Sequence, residues 1–276
     1  MRRFSAFAFL AGSVGLAAAP LAAQEAAASA PAPEMTAAET AAVQRAAELG
    51  ARLHAYDQAA WHGTDAMLED LARARTGEIA GWIVNEVAPG WETVFFRRVG
   101  EGYEAVWAGV YDGRKVTRRT TFAPGERKLS PGEVALAEAT ELARKQKADR
   151  CTTTAFNTVV FPSGKPDGGI YAYLLTPQAT KGEVPFGGHH RFEIVDGKIK
   201  ERRSFAKSCL VMSVAGPGGQ RPEALTITHL LDPVPTEIHV FSVWPAGVPV
   251  YVLTTGNDRL WAVELPGGRP RIRLIR

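Results

Sequence analysis

Two cysteines, Cys151 and Cys209, constrain the fold of this chain more than any other feature of its sequence. An even number of cysteines in an exported chain is typically bridged, because an oxidising compartment converts thiols to disulfides. A bridge here would close a loop of roughly 60 residues and remove about 4 kcal/mol of unfolded-state entropy. The alternative, a catalytic thiol with a histidine partner, would leave the second cysteine free in an oxidising space. The sequence therefore predicts a Cys151–Cys209 disulfide.

The argument for an oxidising compartment comes from the N-terminus, which has the organisation of a signal peptide. Arg2 and Arg3 form a short positive region, residues 4–19 are almost wholly apolar, and small residues follow. The apolar run of about 16 residues is shorter than the ~20 that a membrane-spanning helix needs. We therefore predict a signal peptide over residues 1–23, cleavage near Ala23, a periplasmic or secreted location, and no transmembrane span.

Charge and composition restrict the partners of the exported chain. Its net charge is +3, and loss of the two N-terminal arginines brings it to about +1. Nucleic-acid binding needs a concentrated positive field, so nucleic acid is not expected as a partner. Residues 24–35 are rich in alanine and proline, and we predict that they form a disordered leader.

The segment 36–77 has helical signals. Thr36 and Glu39 have the spacing of a capping box, in which the hydroxyl and the carboxylate each accept a hydrogen bond from a free backbone amide. An alanine-rich helix should follow them. Because glycine weakens helices, Gly63 predicts a break, with a second short helix that ends by Gly77.

From residue 78 the hydrophobic period changes from helical to alternating. Aromatic and β-branched runs separated by turn residues, among them Asp112-Gly113, predict an antiparallel meander. Ser130 and Glu133 bracket a proline at a helix start, which predicts a capped helix that ends near Lys147. This second segment covers residues 78–148.

The third segment, residues 149–276, holds both cysteines and is rich in strand-like runs. We predict that these runs are strands at residues 155–161, 170–176, 191–195, 198–210, 225–231, 237–244, 248–255, 259–265 and 271–275. The predicted fold class is α+β. It has N-terminal helices, then mainly antiparallel sheet with one central capped helix and a disulfide-stapled C-terminal β portion. The sequence leaves open whether the two β-rich portions form one domain or two.

The candidate binding patch consists of His189, Arg191, Glu237 and His239. His189 and Arg191 share one face of a predicted strand, opposite His190, and Glu237 and His239 share one face of another. If the two strands are neighbours, the patch offers two nitrogens and one oxygen, a ligand set that zinc accepts. The alternative is a satisfied buried hydrogen bond between glutamate and histidine.

Catalytic and cofactor motifs of fixed spacing are absent from the sequence. It has no Gly-x-Ser-x-Gly elbow, no phosphate-binding P-loop and no EF-hand calcium loop, so we expect no cofactor and no specific activity. We predict a non-enzymatic binding or envelope-support protein whose partner is an envelope component or a small ligand. The alternative is an envelope hydrolase, with or without a metal ion, that uses His189, Glu237 and His239. Catalytic residues and oligomeric state are not predicted.

Overall fold

A long N-terminal helix is the element on which the rest of the chain packs. The computed structural model describes residues 34–216 and 219–276, so the predicted signal peptide and most of the predicted leader lie outside the described residues. Helix α1 (Ala37–Asp70) begins with the predicted capping box. The Thr36 hydroxyl accepts the Glu39 amide at 3.2 Å, and the Glu39 carboxylate accepts the Thr36 amide at 2.9 Å.

The predicted break at Gly63 is wrong, because α1 continues through it. A Cβ atom at Gly63 would lie 2.8 Å from the side chain of Thr93, and one at Gly50 would lie 2.5 Å from Val240. Both glycines therefore let other elements approach the helix closely. The Thr93 hydroxyl uses this proximity to donate a hydrogen bond to the Ala59 carbonyl at 2.8 Å.

The first sheet is the predicted antiparallel meander. After a single helical turn, α2 (Arg73–Thr76), the chain forms four strands in sequence order: β1 (Gly81–Glu86), β2 (Trp91–Val99), β3 (Gly102–Tyr111) and β4 (Val116–Thr121). The Asp112-Gly113 turn joins β3 to β4, as its sequence predicts. Helix α3 (Pro131–Arg144) follows and begins with the predicted capping box of Ser130 and Glu133.

The second sheet is also antiparallel and packs on the other side of α3. Its strands, in the order β5-β6-β8-β9, are β5 (Asn157–Pro162), β6 (Ile170–Leu175), β8 (His190–Val195) and β9 (Lys198–Ser204). A short ribbon pairs β7 (Glu183–Pro185) with β10 (Val211–Ser213). Apolar side chains of α3 such as Leu136 fill the space between the first and second sheets, and each fully buried large side chain contributes about 1.5–3 kcal/mol.

The third sheet is mixed, and one of the strands predicted for this part of the chain is a helix. Its strands are β11 (Leu225–His229), β12 (Val250–Thr254), β13 (Arg259–Glu264) and β14 (Arg271–Leu274), and β11 pairs with β12 in parallel. Parallel neighbours need a crossover connection, which is helix α4 (Glu237–Ala246). The predicted strand at residues 237–244 is therefore wrong. The remaining pairings of this sheet are antiparallel, and the α+β class is confirmed.

The predicted disulfide joins Cys151 and Cys209, whose Cα atoms are 5.3 Å apart. It ties the segment that follows α3 to the segment that follows β9. Residues Glu34–Arg276 form one compact unit. Within the described part of the chain, no helix is long and apolar enough to cross a membrane.

Candidate functional site

The four residues of the predicted patch are brought together, but in the interior of the protein. His189, Arg191, Glu237 and His239 are 1%, 8%, 4% and 6% exposed. The expectation that His189 would lie on an accessible face is therefore wrong. Glu237 and His239 lie on the first turn of α4 rather than on a strand, so their spacing does not place them on one strand face as predicted.

Arg191 and Glu237 form a buried ion pair between the second sheet and α4. The Arg191 Nη1 donates to Glu237 Oε1 at 2.6 Å, and the Tyr173 hydroxyl donates to the same oxygen at 3.2 Å. The guanidinium also lies over the ring of Tyr171, 4.6 Å from its centroid. Each charge thus has a partner within the protein, which is the condition under which burial of a charge is tolerated.

The two histidines of the patch are likewise satisfied by the backbone. His189 Nδ1 accepts the Thr176 amide at 3.2 Å, so its Nε2 carries the proton and donates to the Pro185 carbonyl at 3.1 Å. His239 Nδ1 accepts the Thr236 amide at 2.8 Å, which helps to cap α4. Burial lowers the pKa of His189 to about 4 and that of His239 to about 3. Both rings are therefore neutral at neutral pH.

The predicted zinc ligand set is not assembled. Across residues 34–216 and 219–276, no group of three or more His, Cys, Asp or Glu side chains is placed to hold a metal ion. Within the same residues every fully buried polar side-chain atom has a hydrogen-bond partner. We conclude that His189, Arg191, Glu237 and His239 join the second sheet to α4 and do not present groups to a ligand.

A large cleft lies beside this network and is the strongest candidate for a functional site. Its volume is about 1030 Å³, within the upper range of small-molecule sites. Side chains from α1, β1, β2, β5 and α4 line it, so the first two sheets and two helices contribute. Five of these side chains are aromatic: Trp61, Trp82, Phe95, Phe241 and Trp244.

Several polar side chains of the cleft come from one face of α1. His54, Asp57, Gln58 and Trp61 recur at the three- and four-residue spacing that places side chains on one side of a helix. The ring of His54 stacks on Trp244 with centroids 4.2 Å apart. Burial lowers the pKa of His54 to about 4, so this ring is neutral at neutral pH.

Asp57 is the carboxylate of the cleft. Burial raises its pKa to about 6, and a hydrogen bond from Gln58 only partly opposes this shift. Among the described residues that line the cleft there is no lysine or arginine to neutralise it. Asp57 is therefore a desolvated acidic group without a cationic partner, a state typical of functional sites.

The sequence of α1 contains one signal for this site. His54, Asp57, Gln58 and Trp61 share a helix face with buried Leu53 and Tyr56 close by, so polar groups interrupt the side of α1 that meets the core. A carboxylate next to a core-facing stripe is a reason to expect a cleft. The other side chains that line the cleft come from distant parts of the chain, and no local sequence pattern predicts that they lie beside α1.

Comparison with known proteins gives no relative from which to assign a function. No protein-family model matches the chain, and searches of curated proteins and of solved structures found no match.

Proposed function

We propose that this is a non-enzymatic binding protein that captures a small amphipathic amine in the aromatic cleft. Asp57 carries the proposal, because it is a desolvated carboxylate in a wall that contains no lysine or arginine among the described residues. A ligand that brings a positive charge would give Asp57 the partner that the protein itself does not supply. The aromatic side chains would hold the apolar part of the same ligand.

The chemistry of the lining favours a cation over a neutral or anionic ligand. The faces of aromatic rings carry negative potential, and a desolvated cation over such a face gains about 2 kcal/mol. A carboxylate within reach adds a charge-assisted hydrogen bond, which is stronger than a neutral one. An anion would instead be repelled by Asp57 above its pKa of about 6.

An exported location remains part of the proposal. It is supported by the Cys151–Cys209 bridge, since disulfides persist in oxidising compartments, and by the signal-peptide pattern of residues 1–23. A small ligand is favoured over an envelope component because a purely supporting role does not require a cleft of this size.

The described residues do not support the alternative of an envelope hydrolase. It required His189, Glu237 and His239 to share a face that a substrate can reach. These side chains are at most 6% exposed, and each forms hydrogen bonds within the protein.

The proposal is tested by calorimetric titration with two matched probes, 1-naphthylmethylamine and its uncharged isostere 1-naphthylmethanol. We expect the amine to bind at least tenfold more tightly, a difference of about 1.4 kcal/mol. Asp57→Asn should abolish the difference. Asp65→Asn, an exposed carboxylate on the same helix outside the cleft, should preserve it. Equal affinities for the two probes would refute the assignment.

The pH dependence of the same titration gives a second readout. Asp57 ionises near pH 6, whereas an aliphatic amine remains protonated well above neutrality. The affinity for the amine should therefore rise between pH 5 and pH 7, and the affinity for the alcohol should stay level. In Asp57→Asn the rise should disappear.

A further inference from the structure

A second cavity lies on the other side of a wall formed by Trp82 and Thr158, which line both it and the cleft. Its volume is about 850 Å³. We call it the cationic cavity after four of its lining residues, Arg144, Lys147, Arg150 and Arg202. The first three lie at or just after the end of α3, and Arg202 lies on β9.

The charges around this cavity are unbalanced. Asp149 is the one carboxylate among the described lining residues, so four cations leave an excess of three positive charges. Arg203 also lines the cavity, but Asp232 neutralises it through a 2.7 Å ion pair. Within the described residues, none of the four cations lies within ion-pair distance of a carboxylate. About half of the arginines in the described residues do have such a partner, as Arg127 and Arg273 illustrate.

Three of the guanidinium groups are held by aromatic rings. Arg144 lies over Trp82 at 4.6 Å from the ring centroid, Arg150 lies over Phe156 at 5.6 Å, and Arg202 lies over Phe192 at 5.6 Å. Stacking fixes the plane of a guanidinium while its N–H donors remain free at the edge. Such donors match the paired oxygens of phosphate and carboxylate groups.

Some of these N–H donors form hydrogen bonds within the protein, and these bonds fix the orientation of the guanidinium groups. Arg144 donates from Nε to the Thr158 hydroxyl at 3.2 Å and from Nη1 to the Ala80 carbonyl at 3.2 Å. Arg202 donates to Gln146 through one Nη2 proton. The other N–H donors of Arg144 and Arg202 have no hydrogen-bond partner in the described residues, so they are available to a ligand.

The disulfide holds the two sides of the cavity together. Cys151 directly follows Arg150, and its bridge to Cys209 joins this segment to the chain that leaves β9, the strand of Arg202. His190 adds a second tie, because its Nε2 lies 3.0 Å from the Asp149 carbonyl and its Nδ1 lies 2.9 Å from the Ser204 hydroxyl. A cluster of cations on a surface repels itself, yet here covalent and hydrogen bonds keep the cluster assembled.

We infer that the cationic cavity is a second binding site, independent of the aromatic cleft, and that it takes a multivalent oxyanion such as a pyrophosphate or tricarboxylate group. Concave shape, unbalanced positive charge and stacked guanidinium groups with free donors are the observations that support it.

The test is calorimetric titration of the disulfide-bonded protein with pyrophosphate and with citrate at low salt and neutral pH. Arg150→Met and Arg202→Met keep much of the apolar stem, so each should retain its fold and weaken binding at least tenfold. Arg271→Met removes one positive charge outside the cavity, next to Glu264, and should leave the affinity within twofold of the original. Thermal unfolding of each variant establishes that it is folded.

Asp149→Asn provides a test of opposite sign. Removal of the one carboxylate in the described lining should strengthen binding of the same probes by about threefold or more, which loss of structure cannot imitate. Replacement of both cysteines by serine should weaken binding, because the Arg150 segment is then released from β9. Raised salt should weaken binding in every case.

The same oxyanion chemistry occurs in soluble metabolites and in lipid headgroups, so a vesicle arm distinguishes the sources. Co-sedimentation with vesicles of phosphatidylcholine and phosphatidic acid, lost in Arg150→Met and reversed by pyrophosphate, would assign the site to a headgroup. Calorimetric binding without co-sedimentation would assign it to a soluble anion. If neither probe nor vesicle shows binding that depends on Arg150 and Arg202, the inference is wrong, whatever the outcome for the aromatic cleft.

Discussion

The predicted patch and the aromatic cleft contain the same kinds of side chain, but the protein pairs the charged groups of the patch and leaves the carboxylate of the cleft without a cation. In the patch, Arg191 and Glu237 neutralise each other and His239 is bonded to the backbone. In the cleft, Asp57 is desolvated without a cation, and His54 rests on an aromatic ring. Chemically active residue types therefore do not identify a site. What separates the two regions is whether the protein itself satisfies its polar groups.

This difference has an energetic consequence that can be measured. A satisfied buried network contributes to stability only while it is intact, because removal of one partner exposes the cost of burying the other. An unsatisfied group in a cleft lowers stability and contributes to ligand binding instead. Variants of the patch should therefore change the free energy of unfolding, and variants of the cleft should change affinity.

The largest effect should come from breaking the buried ion pair. Glu237→Leu removes the closest carboxylate from the Arg191 guanidinium, which is 8% exposed, and leaves it the exposed Glu201 at 3.7 Å. We expect the free energy of unfolding to fall by about 3 kcal/mol. Urea unfolding at neutral pH measures it. The double variant Arg191→Met/Glu237→Leu should recover most of the loss. A single-variant loss below about 1 kcal/mol would mean that the guanidinium is compensated by solvent or by Glu201, and that Glu237 is not its essential partner.

The next effect is an acid destabilisation that originates in the same region. His189 and His239 titrate at about pH 4 and about pH 3 in the folded protein, against about 6.5 when unfolded. Between these values the unfolded state binds more protons, so the free energy of unfolding should fall as pH drops from 6.5, by about 2 kcal/mol or more at pH 4.

Unfolding series with His239→Gln separate this contribution from that of other groups. Glutamine can accept the Thr236 amide but does not titrate, so the slope between pH 6.5 and pH 4 should become shallower. His62→Gln, which removes a histidine that stacks between Trp61 and Tyr111 outside the patch, serves as the control. If His239→Gln keeps the original pH slope of the free energy of unfolding, as His62→Gln should, His239 does not cause the acid destabilisation.

The features predicted correctly from the sequence are those that depend on neighbouring residues. The capping boxes at Thr36 and Ser130 span four residues each, and the meander follows from turns such as Asp112-Gly113. For the capping boxes and the turns, the physical cause lies within the stretch that the prediction used. The Cys151–Cys209 bridge joins residues 58 positions apart and is the exception, because it was predicted from the number of cysteines and the expected compartment.

The errors have causes that lie far away in the chain. Gly63 stays helical because Thr93 packs against it, and no local rule contains that contact. Residues 237–244 alternate in hydrophobicity, but the segment is buried on several sides, and for short apolar runs periodicity does not separate helix from strand. The cleft was missed for the same reason, since Asp57 and Trp244 become neighbours only in the folded chain.

A smaller effect, of opposite sign to the first, is expected for the cleft carboxylate. The pKa of Asp57 is raised to about 6 in the folded state from 3.8, so the unfolded state favours the ionised form. Its ionisation therefore destabilises the fold as pH rises from about 4 to 6. Asp57→Asn should raise the free energy of unfolding at pH 7 by about 1–2 kcal/mol while it removes the preference for the amine over the alcohol.

Chemical unfolding of Asp57→Asn at pH 7 and at pH 3.5 measures that gain and its origin. At the lower pH the original carboxyl is mostly protonated in both states, so the two proteins should be nearly equally stable. Asp65→Asn, on the exposed side of α1, should change stability little at either pH. A gain that persists at pH 3.5 would have to come from packing rather than from the desolvated charge.

The smallest effect on stability, and the sharpest separation of binding from folding, is expected at Trp61. This ring lines the cleft but is 59% exposed, so Trp61→Ala removes little buried area, and the free energy of unfolding should change by less than about 0.5 kcal/mol. The affinity for 1-naphthylmethylamine should nevertheless fall about tenfold, because aromatic anchors dominate binding energies. Leu68→Ala removes a comparably exposed apolar side chain (55%) from α1 outside the cleft, and it should alter neither quantity. If Trp61→Ala instead lowers stability and leaves affinity unchanged, the ring belongs to the fold and the ligand lies elsewhere in the cleft.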